Sequence, residues 1–153
     1  LRRSKERALV AEVRIAGKRV VLAFPQTYMN LSGEAAALLV KRHGITDPER
    51  VVVVQDELDL PVGRVKVKRG GGLAGHNGLR SIKAHLHTDA FLRVRIGIGK
   101  PPSKERGADH VLRRVSKKER AELDVSVEEA ADAVELIAAE GVEAAMQQVN
   151  ARG

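Results

Sequence analysis

The sequence contains no cysteine or tryptophan, and its aromatic side chains number only three, at Phe24, Tyr28 and Phe91. Without cysteine, disulfide bonds, thiolate metal sites and cysteine nucleophiles are excluded. Stacking of bases on aromatic rings, a common way of binding single-stranded nucleic acid, is excluded apart from Tyr28. No run of about 18 apolar residues occurs, which excludes a membrane-spanning helix.

Charge is distributed unevenly along the chain, whose formal net charge is +7. Residues 1–118 contain 25 Lys and Arg against 11 Asp and Glu, whereas residues 119–153 contain 2 against 9. The candidate sites lie in the basic part, which favours contact with nucleic acid or phosphate. A solvated basic surface is the alternative interpretation. The 153 residues, 43% of them apolar, fit one globular domain.

A short apolar run at residues 51–54 predicts a strand buried on both faces. Asp56, Glu57 and Asp59 follow it, at the edge of the sheet where α/β proteins commonly bind ligands. Asp56 needs a partner for its charge, and it serves either to orient a histidine or to cap a turn. A metal site is a further interpretation, but the spacing of these carboxylates matches no metal-binding motif.

Basic and apolar residues alternate in two further stretches. Residues 64–68 predict a strand with Arg64, Lys66 and Lys68 on one face and valines on the other. Residues 91–99 predict another strand, with Arg93 and Arg95 on one side and Val94 and Ile96 on the other. Together these strands predict a cationic surface.

Five glycines between residues 70 and 78 surround His76 and Asn77. Glycine at this density is typical of backbone that approaches a ligand closely. A helix is predicted over residues 78–86, and the N–H groups at its start suit an anion or a developing oxyanion. The alternatives are that His76 only hydrogen-bonds the loop and that Asn77 serves as a turn residue.

The first part of the chain predicts a β-hairpin over residues 8–15 and 19–24. The loop that follows contains Asn30, which either holds a peptide-like group or serves as a turn residue. Ser32 is the predicted N-cap of a helix over residues 35–43.

The last part of the chain predicts a helix from Ser116, its expected cap, to Glu140, and a short helix over residues 142–149. Apolar positions at helical spacing mark the face expected to be buried. They are Leu123, Val127, Ala130, Val134 and Ile137.

Several blocks of this sequence resemble, in order and spacing, the signature blocks of the bacterial peptidyl-tRNA hydrolase family. They are residues 25–33, 56–61, 70–81, 93–99 and 140–146. The likeness extends over nearly the whole chain, from near Leu9 onward. Long blocks of unusual composition in the same order are far more specific than a single glycine motif.

The resemblance implies a single α/β domain over residues 1–153, with three α/β/α layers around a twisted mixed β-sheet. It implies hydrolysis of the ester that joins a peptide to the 3′ ribose of tRNA, which recycles tRNA from prematurely released chains. The expected partner is peptidyl-tRNA, bound at its acceptor stem and 3′ end. No cofactor, metal or membrane is expected, and the protein is expected to be a cytoplasmic monomer.

The resemblance also implies roles for residues at the substrate end of the site. Tyr28, Asn30 and Asn77 match positions that contact the acyl end of the tRNA. Met29 matches a wall of the channel for the peptide. Asn30 and Asn77 are therefore expected in both the catalytic and the substrate-binding set.

For the chemistry and for the phosphates, the resemblance implies five further residues. Asp56 matches the carboxylate that holds the catalytic histidine in its basic form, and His76 matches a second histidine that lines the site. Lys66, Lys68 and Arg95 fall near the positions of a phosphate clamp. We expect the carboxylate, the two amides and the imidazole to converge on one pocket beside a cationic wall.

The chain departs from the family pattern at its start. In the family, a strand, a Gly-Asn-Pro-Gly turn and an Arg-His-Asn segment with the general base precede the region that matches Leu1. None of the five histidines here occupies that place. We therefore expect an N-terminal truncation, and the alternative function is a non-catalytic RNA- or phosphate-binding module that retains the scaffold.

Overall fold

The computed structural model describes residues 2–3, 8–26, 28–73, 76–99 and 116–152. The chain forms two compact units, each made of two separate segments. The first unit comprises Leu1–Val51 and Arg69–Phe91, and the second comprises Val52–Lys68 and Leu92–Gly153. The single domain over residues 1–153 stays a prediction.

The sheet of the first unit is antiparallel, with strands β1 (Arg2–Arg3), β2 (Ala8–Ile15) and β3 (Lys18–Pro25) in that order. The predicted hairpin between β2 and β3 is confirmed. Its two-residue turn, Ala16 and Gly17, has φ of 52° and 77°. Two successive positive φ values are typical of the turn whose twist matches that of paired strands.

Two helices complete the first unit, α1 (Ser32–Arg42) and α2 (Asn77–Leu86), with short 3-10 turns at Met29–Leu31 and Pro48–Arg50. Ser32 is not the N-cap of α1, because the preceding 3-10 turn runs directly into the helix and leaves Leu31 at that position. The Ser32 hydroxyl instead donates to the carbonyl of Met29 at 2.8 Å. Gly44, with φ of 62°, follows the C-cap His43, a position that glycine commonly takes at the end of a helix.

The sheet of the second unit contains β4 (Val52–Glu57), β5 (Val65–Arg69) and β6 (Leu92–Gly97) in the order β4-β6-β5. Strands β4 and β6 are parallel. The Gly97 N–H donates to Arg64 and the Gly70 N–H to Phe91, so β5 runs antiparallel to β6. The predicted α/β class with a mixed sheet is confirmed.

Strand β4 differs from its prediction in two respects. It continues beyond the apolar run, so that Asp56 and Glu57 are its last residues rather than the first residues after it. Val54 is 50% exposed, so the prediction of burial on both faces is wrong. Val54 pairs with Val94 on the face of the apolar core, whereas Gln55, Glu57 and Arg93 are buried on the other face.

The core of the second unit lies between this sheet and two helices, α3 (Lys117–Glu140) and α4 (Val142–Asn150). The buried sheet residues are Val65, Val67, Leu92 and Val94. Ser116 caps α3 as predicted, with its hydroxyl accepting from the Glu119 N–H at 3.2 Å. The predicted core position Val127 is wrong, since it is 57% exposed. Ser126, Ala130 and Ala133 form the buried stripe, because their small side chains allow close approach to the sheet.

Candidate functional site

In the first unit, His76 is the N-cap of α2. Its Nδ1 atom accepts a hydrogen bond from the Leu79 N–H at 3.2 Å. A neutral histidine that accepts at Nδ1 carries its hydrogen on Nε2, so His76 donates rather than accepts at that atom. The helix then begins at Asn77, which is exposed to solvent.

The turn Met29–Leu31 packs against the start of α2. A Cβ atom added to Gly78 would lie 2.7 Å from Met29 Sδ and 3.0 Å from His76 Cε1, so the Met29 side chain would have to shift. Glycine at this position therefore leaves room for the Met29 side chain beside the start of α2. The structure thus places Met29, in the turn that contains Asn30, beside His76 and the start of α2 at Asn77.

Tyr28 and Met29 lie at the surface of this region. Tyr28 is 82% exposed and Met29 is 57% exposed. Large exposed apolar side chains beside polar groups are typical of binding surfaces. Their exposure is compatible with the predicted contact to the acyl end of a tRNA.

In the second unit, alternation of side chains divides the predicted residues between two faces of the sheet. Gln55 pairs with Arg95, and Asp56 pairs with Ile96, in the parallel register of β4 and β6. Neighbours in register lie on the same face, so Asp56 lies on the face opposite to Arg95. The structure therefore does not place Asp56 among the cations, and its convergence with Asn30 and Asn77 stays a prediction.

The polar face of this sheet contains an ion pair that the sequence analysis did not identify. Arg95 Nη1 lies 3.7 Å from Glu57 Oε1, and the two side chains are 19% and 9% exposed. Arg93 is also buried, at 2% exposure. Alternation along the strand predicts the shared face of Arg93 and Arg95, but burial of that face has no signal in the sequence.

Lys68 belongs to the same polar face. Burial lowers the pKa of the Lys68 ammonium, the nearby Arg93 and Arg95 guanidinium groups lower that pKa further, and the Glu57 carboxylate raises it. We call these four residues the basic cluster. Its excess of positive charge is the electrostatic arrangement expected of an anion site.

Lys66 has a structural partner at the end of the last helix. Its Nζ atom donates to the backbone carbonyl of Asn150 at 3.3 Å. A cation at a helix C-terminus stabilises the unpaired carbonyls there. Lys66 is therefore tied to α4, in contrast to Lys68.

Neither a metal cluster nor a membrane span is found in the part of the chain that the structure describes. Among those residues, no three His, Asp or Glu side chains are arranged to hold a metal ion. None of the described helices is long and apolar enough to cross a bilayer.

Comparisons with known proteins agree on one family. A family model described as peptidyl-tRNA hydrolase matches residues 1–153. A peptidyl-tRNA hydrolase of Nocardia farcinica is 50% identical over 146 residues, which are 95% of this chain and 75% of the relative. One from Frankia alni is 49% identical over 151 residues, which are 99% of this chain and 76% of the relative.

A solved structure of peptidyl-tRNA hydrolase from Acinetobacter baumannii superposes with a TM-score of 0.89 at 40% identity. The likeness covers 96% of this chain and 74% of that structure. The predicted fold and the predicted hydrolysis of peptidyl-tRNA are confirmed by these matches, whereas the non-catalytic alternative is not supported. The chain belongs to the peptidyl-tRNA hydrolase family.

Proposed function

We propose that this chain binds its substrate through two groups of residues with separate tasks. The basic cluster, together with Lys66, binds phosphates of the acceptor stem. The start of α2 and the turn Met29–Leu31 bind the 3′ end with its peptide ester. Asp56 supports the chemistry of hydrolysis.

The phosphate contact rests on Lys68 and Arg95. Glu57 contacts one end of the Arg95 guanidinium, at 3.7 Å. The planar guanidinium has five N–H donors, so the group retains donors for a phosphate oxygen. Lys68 adds a point charge on the same face, and a bound phosphate would relieve the repulsion among these cations. This contact does not depend on the base sequence.

The ester contact rests on the packing of Gly78 against Met29, which is the single observation that carries the proposal. Asn30 and Asn77 align the peptide and its ester, and Met29 and Tyr28 contact the acyl end. The N–H groups at the start of α2 meet the developing oxyanion.

His76 and Asp56 have different tasks in the proposed proton transfer. His76, which accepts at Nδ1 from its own helix, acts as a donor to substrate at Nε2. Asp56 holds the histidine that deprotonates the attacking water in its basic form, as the family resemblance implies; that histidine is the one of the family's Arg-His-Asn segment and none of the five in this sequence. General-base help of this kind is worth about 10²- to 10⁴-fold in rate.

We further propose that the protein acts as a cytoplasmic monomer without cofactor or metal. Peptidyl-tRNA is a product of translation, which supports the location. Sedimentation equilibrium would check the monomer, and a mass above that of one chain would contradict it.

The test of the catalytic assignment compares Asp56→Asn with the control Asp124→Asn, which makes the same charge change on the exposed surface of α3. Hydrolysis of peptidyl-tRNA by the chain joined to the family's Arg-His-Asn segment, which supplies the general base, gives kcat, and titration with uncharged tRNA gives the affinity. We expect Asp56→Asn to lower kcat by about 100-fold or more while the affinity changes less than about twofold. An equal loss of both quantities would contradict the role of Asp56.

A further inference from the structure

The two helices of the first unit are joined by a buried hydrogen bond. The Gly33 N–H, near the start of α1, donates to the Ser81 hydroxyl in α2 at 2.8 Å. Ser81 is 7% exposed, so water does not replace this partner easily. The bond connects residues 48 positions apart in the sequence.

Around this bond the helices are in very close contact. A Cβ atom added to Gly33 would overlap the backbone carbonyl of Ser81 and would lie 2.5 Å from Nδ1 of His85. The same His85 atom is 2.9 Å from the Ser81 carbonyl oxygen. Gly33 therefore packs against the backbone of α2, where there is no room for a side chain. The hydrogen bond to the Ser81 hydroxyl fixes its position there.

The joined residues lie directly beside the proposed ester contact on both elements. Gly33 follows Asn30 by three residues, and Ser81 follows Asn77 by four, about one helical turn. The Ser32 hydroxyl also donates to the Met29 carbonyl at 2.8 Å, which ties the turn to α1. A shift of α1 along α2 would therefore move the turn and the helix start relative to each other.

We infer that Ser81 is a positioning residue, which holds the turn Met29–Leu31 against the start of α2. In this position Asn30 and Asn77 both contact the same ester group. This inference rests on the proposed function of those two asparagines. Ser81 itself is buried and touches no substrate. Misplacement of binding groups by about 1 Å is enough to reduce catalysis strongly.

The test uses the full chain and two probes. A non-hydrolysable 3′-amide analogue of peptidyl-adenosine reports on the ester contact, and an acceptor-stem RNA duplex without peptide reports on the basic cluster. We expect Ser81→Ala to weaken binding of the analogue about tenfold and to leave binding of the duplex unchanged. Exchange of the Gly33 amide hydrogen, followed by NMR, should become faster because its acceptor is lost.

The matched control is Ser126→Ala in α3. Ser126 is 1% exposed, and its hydroxyl has no hydrogen-bond partner among the residues that the structure describes. We expect this variant to bind both probes as the unchanged chain does. Should Ser81→Ala not fold, Ser81→Cys replaces the hydroxyl with a somewhat larger thiol that accepts hydrogen bonds weakly, so it should show a smaller loss in the same direction.

The outcomes separate this inference from the proposed function. If the unchanged chain binds neither probe, both are overturned. If the unchanged chain binds both and the Ser81 variants retain full affinity for the analogue, only the positioning role is overturned. Equal losses for analogue and duplex would also overturn it, because they indicate a general loss of structure.

Discussion

Arg95 and Glu57 form an ion pair of 3.7 Å on the polar face of the second unit's sheet, with both side chains largely shielded from solvent. A carboxylate at this position offsets part of the repulsion among Lys68, Arg93 and Arg95. Glu57 also accepts from the Asp59 N–H at 3.4 Å, which orients its carboxyl group. In the absence of phosphate, the Glu57 carboxylate therefore stabilises the fold by reducing the repulsion among these three cations.

The first prediction concerns the loss of this carboxylate. Glu57→Gln should lower the free energy of unfolding by about 2 kcal/mol, because a shielded Arg95 loses its charged partner. Urea denaturation at neutral pH measures this loss, and phosphate in the buffer should reduce it. Glu12→Gln is the control, since its 3.2 Å pair with Arg19 is exposed and should be worth about 0.5 kcal/mol. Equal losses in the two variants would contradict the role assigned to Glu57.

The second prediction concerns the titration of Lys68. Its pKa lies below 10.5, so between its folded value and 10.5 the unfolded chain binds more protons, and the free energy of unfolding rises with pH across that window. NMR of labelled lysine side chains should show Arg95→Gln raising the Lys68 pKa and Glu57→Gln lowering it further. Phosphate should raise it. If neither substitution changes the pKa of Lys68, its ammonium has no electrostatic interaction with Arg95 or Glu57.

The sequence predicts most elements of this fold because their patterns are local. The alternation around Lys66 and Lys68, the hairpin turn at Gly17 and the cap at Ser116 each depend on a few neighbouring residues. The errors arise where tertiary packing decides. Val127 has helical spacing with other apolar residues, but the neighbouring stripe of small residues packs more closely against the sheet.

The candidate site is less predictable for the same reason. Residue type and spacing indicate His76 and Asn77, but the closeness of Met29 to Gly78 depends on how two helices pack. The pairing of Glu57 with Arg95 requires the register of two strands that are far apart in sequence. Such contacts have no local pattern, so the family resemblance supplies what periodicity does not.

The third prediction separates the two lysines of β5. Lys68→Ala should weaken binding of acceptor-stem RNA and reduce the slope of log Kd against log salt by about 1, because one phosphate contact is lost. Lys66→Ala should reduce the slope less, since its ammonium is tied to the Asn150 carbonyl. Lys117→Ala, on the exposed start of α3, is the control. A larger effect at Lys66 than at Lys68 would assign the main phosphate contact to Lys66.

The fourth prediction concerns Asn150, whose side chain pairs with the outer edge of β5. Its Oδ1 accepts from the Val67 N–H at 2.8 Å and its Nδ2 donates to the Val67 carbonyl at 3.0 Å. Asn150→Ala should lower the free energy of unfolding by about 2 kcal/mol, because both backbone groups lose their partner. Urea denaturation measures the loss, with the exposed Gln148→Ala as the control.

Asn150→Asp refines this prediction, because a carboxylate still accepts from the Val67 N–H but repels the Val67 carbonyl. We expect Asn150→Asp to be less stable than the unchanged chain at neutral pH and to recover part of the loss when acid protonates the carboxyl group.

Since β5 ends the order of described strands in its sheet, the loss of Asn150 also leaves an edge open to other chains. Sedimentation should then show association of Asn150→Ala but not of Gln148→Ala, and two monomeric variants of equal stability would contradict the role of Asn150 in protecting that edge.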